Sequence, residues 1–320
     1  LQLFLLIFLF SHFSLAARSL SETNSDRYQS QQPIPFQYHN GPLLTGNISI
    51  NLVWYGRFIP HQRAIVSDFI TSFSSPTLDQ PSVVTWWKSI NKYYCLNNAK
   101  ETPSLSFSLS TQTLDESYSL GKSLFLGTHV KKLAAKGGRS NGINVVLTSA
   151  DVTIDEFCSC KCGTHGYSRS SFIRGKSSNF AYIWVLELPY IWVGNSESQC
   201  PSQCAWPFHQ TIYGPQNPPL VAPNNDIGMD GMIINLASLL AGTVTNRFGN
   251  GFYQGPKEAP LEAASACPGV YGKGAYPGYA GDLLVDATTG ASYNANGFNG
   301  KKYLLPALFD PSTSTCSTLV

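Results

Sequence analysis

The chain has 320 residues, of which 12% are charged and 43% are hydrophobic, and its formal net charge at pH 7 is +2. A disordered protein would have few aromatic residues and a high net charge, whereas this chain contains 18 Phe, 16 Tyr and 6 Trp. No basic run is longer than Lys131-Lys132 or Lys301-Lys302, so the chain lacks the basic stripe of a nucleic-acid-binding protein. The composition predicts a folded, weakly charged protein with no nucleic-acid partner.

The N-terminal segment is typical of a secretory signal peptide. A ten-residue apolar run, LQLFLLIFLF, precedes SHFSLAA, whose small residues resemble a cleavage site. The alternative is a transmembrane anchor, but about 20 apolar residues are needed to span a bilayer. We therefore expect a signal peptide over 1–17 and a flexible Ser/Gln-rich lead over 18–36. The mature protein is expected to be secreted and to have no membrane anchor.

After residue 36 the hydrophobic pattern alternates between the periods of strands and helices. Period-two or β-branched runs predict strands over 48–55, 104–111 and 143–148. Apolar positions at helical spacing predict helices over 64–73, 83–94, 120–136 and 231–245. Such alternation indicates an α/β fold, a mixed sheet with flanking helices. No linker divides the chain, so we predict a single domain over 37–320 whose Gly/Pro-rich C-terminal region is stapled by disulfide bonds.

Eight cysteines give the chain the even number that is typical of exported proteins with disulfide bonds. They are Cys95, Cys158, Cys160, Cys162, Cys200, Cys204, Cys267 and Cys316. Eight cysteines allow 105 pairings, and the sequence selects none of them. The alternative, a zinc site formed by the cysteines between 158 and 204, is disfavoured in an oxidising compartment. The sequon at Asn47 is a candidate glycosylation site.

The polar residues most suited to chemistry leave several alternatives open. No two histidines are four residues apart, so a His-Glu-x-x-His zinc motif is absent, and we predict no metal and no cofactor. His165 and His209 each follow a cysteine pair and either face one pocket or are separate hydrogen-bonded loop residues. Asp226 and Asp230 suit either general acid/base work or capping of the apolar helix that follows, and capping is favoured.

The helix predicted over 231–245 has one stripe of small or polar residues on an otherwise apolar surface. The stripe consists of Gly231, Asn235, Ser238, Gly242 and Thr245. It either lines a cleft or permits close packing against a neighbouring element. On the pattern alone, packing is the favoured interpretation.

Long contiguous motifs make the chain resemble a known plant family. They include YHNGPLLTG, NLVWYG, CKCGTHG, the segment from Cys200 that begins CPSQCAWPFHQTIYGP, and ASACPGVYGKGAYPGYAGDLL. Over nearly everything after residue 36 the chain resembles the EXORDIUM or phosphate-induced protein family. The resemblance implies a secreted protein of the apoplast or cell wall that is associated with brassinosteroid-promoted growth and cell expansion. It implies no known biochemical activity.

The chain departs from the family pattern at two cysteines and in one short segment. Six cysteines match the family, and Cys95 and Cys160 are extra, so those two either pair with each other or remain free. The sequence YIWV occurs at 182–185 and again at 190–193, where the family sequence usually continues directly. A short local duplication or a gene-model artefact explains this better than a functional repeat.

The resemblance also suggests a relation to zinc peptidases. Some members of the family carry His-Glu-Leu-Ala-Glu where this chain reads SLLAG over 238–242. That arrangement is similar to a zinc-peptidase helix, in which two ligands one turn apart hold the metal and the adjacent Glu activates water. Here Ser238 and Gly242 cannot bind zinc, and Leu239 cannot act as a base. The hypothesis is a zincin-like scaffold that has lost its catalytic site.

The function favoured by these observations is a non-catalytic extracellular regulator that binds a cell-wall component or a cell-surface receptor. Four tyrosines of the Gly/Pro-rich region either stack on sugars or only anchor a stapled loop: Tyr253, Tyr271, Tyr276 and Tyr279. His209, Asp226 and Asp230 are further candidate binding residues. The alternative is a secreted hydrolase that acts on a wall polysaccharide or peptide through those same three residues.

Overall fold

The computed structural model describes residues 35–96, 105–138, 142–159, 161–177, 180–215 and 217–320, and over 169–187 it describes the backbone alone. Phe36–Val320 form one compact unit. The predicted signal peptide over 1–17, most of the predicted lead over 18–36, and Cys160 lie outside the described residues.

Strands and helices alternate in the first two thirds of this unit, and short strands dominate the last third. The strands are β1 Gln37–Tyr38, β2 Gly46–Tyr55, β3 Leu105–Asp115, β4 Ser123–Leu124, β5 Gly142–Thr148, β6 Thr153–Ile154, β7 Gly163–Ser177, β8 Phe180–Gly194, β9 Phe252–Tyr253, β10 Leu284–Val285, β11 Ser292–Tyr293, β12 Ala295–Asn296, β13 Lys302–Tyr303, β14 Leu308–Asp310 and β15 Thr315–Ser317. The helices are α1 Pro60–Ser72, α2 Val83–Lys88, α3 Asn91–Cys95, α4 Lys131–Ala134, α5 Pro201–Cys204 and α6 Ile227–Thr245, with a π-helical turn Leu126–Val130 and a 3-10 turn Phe298–Gly300.

The centre of the fold is a five-stranded sheet with the strand order β3-β2-β5-β8-β7. The first four strands are parallel, and β7 pairs with β8 in an antiparallel hairpin at the edge. The predicted mixed sheet with flanking helices is confirmed. Both copies of YIWV lie in β8. The second copy pairs with β5 on one side and with β7 on the other, whereas the pairing described for the first copy is with β7.

Both faces of the sheet are covered, which explains why its inner strands are apolar at nearly every position. On β2, Ile50, Leu52 and Trp54 point to one face, where they pack with α1 and α6. Val53 and Tyr55 point to the other face, where they pack with α4 and the loops around it. The period of two along β2 therefore places alternate side chains of this strand in two hydrophobic cores, one on each face of the sheet.

The apolar helix α6 is the central element of the first core. Asp226 caps its N-terminus, because the Asp226 carboxylate accepts a hydrogen bond of 2.9 Å from the backbone N–H of Met229. By length and composition α6 is apolar enough to cross a membrane, but 78% of its most apolar window is buried inside the protein. It is therefore a core helix, and the capping interpretation of Asp226 is confirmed.

Two helix predictions were wrong in detail. The helix predicted over 83–94 is divided into α2 and α3, because the backbone between them makes tighter hydrogen bonds to the third residue back, as from Ser89 to Trp86. The helix predicted over 120–136 begins only near residue 126. Gly121 adopts a left-handed conformation with φ +82°, and the next residues form strand β4, which pairs with β6.

The disulfide prediction is confirmed, and the structure selects the pairing. Cys158 pairs with Cys200, Cys162 with Cys204, and Cys267 with Cys316. The first two bonds tie the segment before β7 to the start and end of α5, which is separated from β8 by six residues. Cys95 is a free, exposed thiol, and Cys160 lies outside the described residues.

The zincin-like scaffold is not supported. The stripe of small residues on α6 serves close packing, as the pattern favoured: a Cβ on Gly231 would lie 2.9–3.0 Å from atoms of Cys204 and Ala205, and a Cβ on Gly242 would lie 2.2 Å from the Glu262 carboxylate. Asn235 donates a 2.9 Å hydrogen bond to the carbonyl of Cys204. The stripe is a packing seam against α5 and the segment around residue 262.

Candidate functional site

The carboxyl ends of the four parallel strands meet at one edge of the sheet. The connection after β2 passes through α1 on one face, and the connection after β3 passes through α4 on the other face. In the strand order the chain continues from β2 to β3 on one side and from β5 to the β7–β8 hairpin on the other, so the gap between β2 and β5 is the topological switch point where open α/β sheets bind ligands.

A cleft of about 300 Å³ lies at this edge. Each parallel strand supplies part of its lining through the loop that follows it: Arg57 and Gln62 after β2, Tyr118 and Lys122 after β3, Ser149, Ala150 and Asp151 after β5, and Asn195 and Glu197 after β8. Apart from one alanine, every one of these side chains can form hydrogen bonds. The lining is thus much more polar than that of a typical drug-sized ligand pocket.

Asp151 is the centre of a hydrogen-bond network in the cleft. Its carboxylate accepts bonds from Ser149 Oγ at 2.6 Å, Tyr118 OH at 2.7 Å and Lys122 Nζ at 2.5 Å. Burial alone would raise the pKa of Asp151, but these three donors outweigh it and hold the pKa well below its ordinary value. The same contact raises the pKa of Lys122. Asp151 is therefore a permanently ionised acceptor that fixes the loops after β3 and β5 together.

Gly56 allows the loop after β2 to lie close to the loop after β5. Its φ is +97°, and a Cβ at this position would lie 1.9 Å from Ser149 Oγ and 2.9 Å from Ser149 Cβ. Only glycine adopts this conformation cheaply and leaves room for the hydroxyl that bonds to Asp151.

We expect Gly56→Ala to lower the free energy of unfolding by about 2–4 kcal/mol, since it combines left-handed strain with a clash against Ser149. Gly121→Ala is the matched control, because Gly121 also has a positive φ but a Cβ there meets no atom within 4 Å. Urea denaturation should show the Gly56 variant to be less stable than the Gly121 variant by at least about 1 kcal/mol. Equal losses would mean that the contact with Ser149 is not tight.

The cleft is also joined to the N-terminus of α6. Gln62 donates a 3.0 Å hydrogen bond to Asp226, the capping residue of that helix. Asn195 accepts a 2.9 Å bond from the backbone N–H of Glu197, and a Cβ on Gly228 would lie 2.3 Å from the Asn195 side-chain oxygen. The amide side chains that line the cleft are thus held by the core helix, which makes the cleft a pre-formed site.

The four predicted tyrosines fall into two classes. Tyr253 and Tyr271 are buried: Tyr253 stacks on His39 with ring centroids 3.7 Å apart, and Tyr271 packs against Trp206. These two anchor their loops and present no face to a ligand. Tyr276 is 60% exposed and lies 5.1 Å from the partly exposed ring of Tyr279, whose hydroxyl donates to Asp282. This exposed pair remains a candidate surface for stacking on sugars.

The structure gives the three predicted polar residues separate roles. Asp226 caps α6, whereas Asp230 is buried and accepts hydrogen bonds from the backbone and side chain of Asn224 at 2.8 Å and 2.6 Å. Burial raises the pKa of Asp230 to about 7. His209 contacts Ser202 Oγ at 3.1 Å. The hydrolase alternative requires the three to share one site, and their described contacts do not bring them together.

The remaining candidates lie outside the cleft. His165 is on β7 and its Nε2 lies 2.8 Å from the Glu262 carboxylate, while His209 is held elsewhere by Ser202, so each has its own hydrogen-bond partner. Within the described ranges, no group of three or more His, Cys, Asp or Glu side chains is arranged to hold a metal ion. Asn47 is exposed at the start of β2, and its side-chain oxygen accepts a hydrogen bond from Ser106.

The cleft residues were missed in the sequence because no motif contains them. A signal was nevertheless present: each buried strand is followed directly by polar residues, as in GR after NLVWY, SAD after INVVLT and NSES after YIWVG. In a parallel sheet these loops share one edge, so their side chains converge. Only the strand order, which the sequence does not state, shows that they form one cleft.

Comparison with known proteins places the whole described unit in one family. The family model "Phosphate-induced protein 1 conserved region" matches residues 36–319. The chain is 63% identical to Protein PHOSPHATE-INDUCED 1 of Nicotiana tabacum, with 100% of this chain and 98% of that protein covered. It is 62% identical to Protein EXORDIUM of Arabidopsis thaliana, with 99% and 100% covered, and 60% identical to Protein EXORDIUM-like 1 of the same plant, with 98% and 99% covered. No solved structure matches the chain.

Proposed function

This chain belongs to the phosphate-induced protein 1 family, and we propose that it is a secreted regulator of brassinosteroid-promoted growth and cell expansion that acts in the apoplast or cell wall by binding. The observation that carries the binding role is the polar cleft at the carboxyl edge of the sheet. We propose that its ligand is a carbohydrate of the cell wall. Secretion is supported by the signal-like N-terminal run and by three disulfide bonds, which persist in oxidising compartments.

The lining of the cleft favours a hydroxylated ligand. The carboxylates of the lining accept hydrogen bonds, and its amides and hydroxyls both donate and accept them, as sugar hydroxyls require; Ala150 is the one apolar side chain in the lining. The links from Asp151 and Asn195 to their neighbours hold the site in place before binding, which lowers the entropy lost on association.

The ionised state of Asp151 argues against a role as general acid. A general acid needs a pKa near the working pH, and the donors around Asp151 hold its pKa far below that range. A carboxylate that stays ionised is well suited to accept hydrogen bonds from a bound sugar. Turnover of a wall polysaccharide that Asp151→Asn abolished would contradict the non-catalytic part of the proposal.

Filling the cleft should abolish ligand binding. Ala150 is half-buried in the lining, and its backbone carbonyl, which accepts hydrogen bonds from Ser198 and Gln199 at 2.9 Å, is unaffected by a larger side chain. We expect Ala150→Tyr to lose at least about tenfold in affinity for wall glycans on an array, a loss of about 1.4 kcal/mol in binding free energy.

Ala135→Tyr is the matched control, because Ala135 is exposed at the end of α4 and does not line the cleft. It should bind like the unmodified protein. If Ala150→Tyr binds normally and Tyr276→Ala does not, the exposed tyrosine pair is the binding surface and the assignment of the cleft is wrong. If no wall glycan binds to the unmodified protein, the carbohydrate proposal fails.

A further inference from the structure

The charges around the cleft are not fully paired. Arg63 lies 3.8 Å from Glu116, and Lys122 is bonded to Asp151. Arg57, which lines the cleft, makes no ion pair or hydrogen bond with any residue in the described ranges. Its charge is close enough to Lys122 to act against the pKa increase that Asp151 causes there. The lining therefore holds two cations and two carboxylates, in which Lys122 pairs with Asp151, while Arg57 and Glu197 have no ion-pair partner among the described residues.

The N-terminus of helix α1 adds to the positive charge of Arg57. Helix α1 begins at Pro60, three residues after Arg57, and its N-terminal turn contains no acidic residue. Gln62 in that turn lines the cleft. The unpaired N–H groups at the start of a helix favour an anion, and a neighbouring arginine strengthens the preference.

The other wall of the cleft suits hydroxyl groups. Glu197 is exposed in the lining, and no described residue forms an ion pair with its carboxylate. Asn195 lies beside it, on the loop after β8. A free carboxylate accepts hydrogen bonds from hydroxyls on adjacent carbons, and an amide both donates to such hydroxyls and accepts from them. A zwitterionic amino acid would use the same two charges, but it lacks the several hydroxyls that the polar lining suits.

We propose that the cleft binds an acidic sugar, a uronic-acid residue, whose carboxylate pairs with Arg57 and whose hydroxyls bond to Glu197. This inference rests on the proposed function, since it names the class of wall carbohydrate that the cleft takes. Arg57 is then the residue that distinguishes acidic from neutral sugars, because a guanidinium matches the planar geometry of a carboxylate.

Calorimetric titration of the full secreted chain with trigalacturonate and with its methyl ester tests the inference. The two probes share every hydroxyl and differ in the charge of the carboxylate. We expect trigalacturonate to bind about tenfold to a hundredfold more tightly than the ester, with affinity that falls as salt rises. Arg57→Gln should weaken binding of the acid to the level of the ester and leave binding of the ester unchanged.

Lys257→Gln removes an exposed cation that does not line the cleft and is the matched control, with no expected effect. Equal binding of acid and ester, insensitive to Arg57→Gln, would overturn the inference and leave the proposed function standing. Binding of free glutamate that Arg57→Gln abolishes, without binding of the acidic sugar, would assign the cleft to a zwitterion and also overturn it. If neither galacturonate probe binds, the inference fails, and the glycan array decides whether the proposed function fails with it.

Discussion

Between about pH 4 and pH 7 the free energy of unfolding is expected to fall by roughly 3–4 kcal/mol, owing to Asp230 alone. Asp230 is 2% exposed at the start of α6, and burial raises its pKa from the ordinary value of 3.8 to about 7. The neighbouring charge of Asp226 adds to the increase, while the hydrogen bonds from Asn224 reduce it. In this range the folded protein holds a proton that the unfolded chain has released, so rising pH favours unfolding.

Other carboxylates act in the opposite direction at lower pH. Burial raises the pKa of Asp115, but Lys136 and Ser119 lower it overall to about 2, and Lys92 and Ser312 do the same for Asp310. Their stabilising effect is present above the ordinary carboxyl pKa and is lost as the pH falls below it. The stability maximum should therefore lie near pH 4–5, which suits a protein of a mildly acidic compartment such as the one we propose.

Urea denaturation at several pH values checks this expectation, with Asp230→Asn as the test variant. The amide has the shape of the neutral acid and does not titrate, so the fall between pH 4 and pH 7 should disappear. At pH 4.5 the variant should be less stable by about 1–3 kcal/mol, because its NH₂ faces one of the two donors from Asn224. Asp79→Asn, at an exposed position, should keep the original pH profile. The expectation is wrong if Asp230→Asn keeps it too.

Three of the four parallel strands, β2, β3 and β5, could be predicted from local patterns because each has a period of two or a run of β-branched residues, whereas β8 was not predicted. The 48–55 and 143–148 predictions agree with β2 and β5 within two residues at each end. The strand order could not be predicted, since it depends on which connection crosses which face, and both connections contain amphipathic helices. The cleft depends on that order, so it could not be assembled from the sequence.

The predictions that were wrong have equally local causes. The segment from Leu120 to Lys136 has apolar residues at helical spacing, but Gly121 breaks the helix, and β4 then gains hydrogen bonds from β6 that a helix would forgo. The four tyrosines of the C-terminal region are alike in sequence context. Their burial is decided by distant partners: Tyr253 contacts His39 and Tyr271 contacts Trp206, whereas among the described residues Tyr276 has only its neighbour Tyr279 as a ring partner.

Removing both disulfide bonds between the segment before β7 and α5 is expected to lower the free energy of unfolding by about 6–7 kcal/mol, more than the two single losses together. Each bond joins cysteines 42 residues apart, so the first to form restricts the unfolded chain by about 4 kcal/mol. Once Cys158–Cys200 is present, Cys162–Cys204 closes only a short loop of about ten residues, worth about 2.6 kcal/mol. Each single loss should therefore cost about 2.6 kcal/mol, because the remaining bond still closes the long loop.

The measurement is guanidinium denaturation of Cys158→Ser/Cys200→Ser, Cys162→Ser/Cys204→Ser and the quadruple variant. Cys95→Ser, which removes a free exposed thiol, should change stability by less than about 0.5 kcal/mol. Cys267→Ser/Cys316→Ser removes a bond across 49 residues in the C-terminal region and should lose about 4 kcal/mol.

The quadruple variant should also bind the cleft ligand more weakly, because α5 anchors the loop that carries Asn195 and Glu197, whereas the Cys267/Cys316 variant should bind normally. Strict additivity of the single losses would show that the two bonds act on independent loops, contrary to the overlapping loops that the pairing of Cys158 with Cys200 and of Cys162 with Cys204 creates.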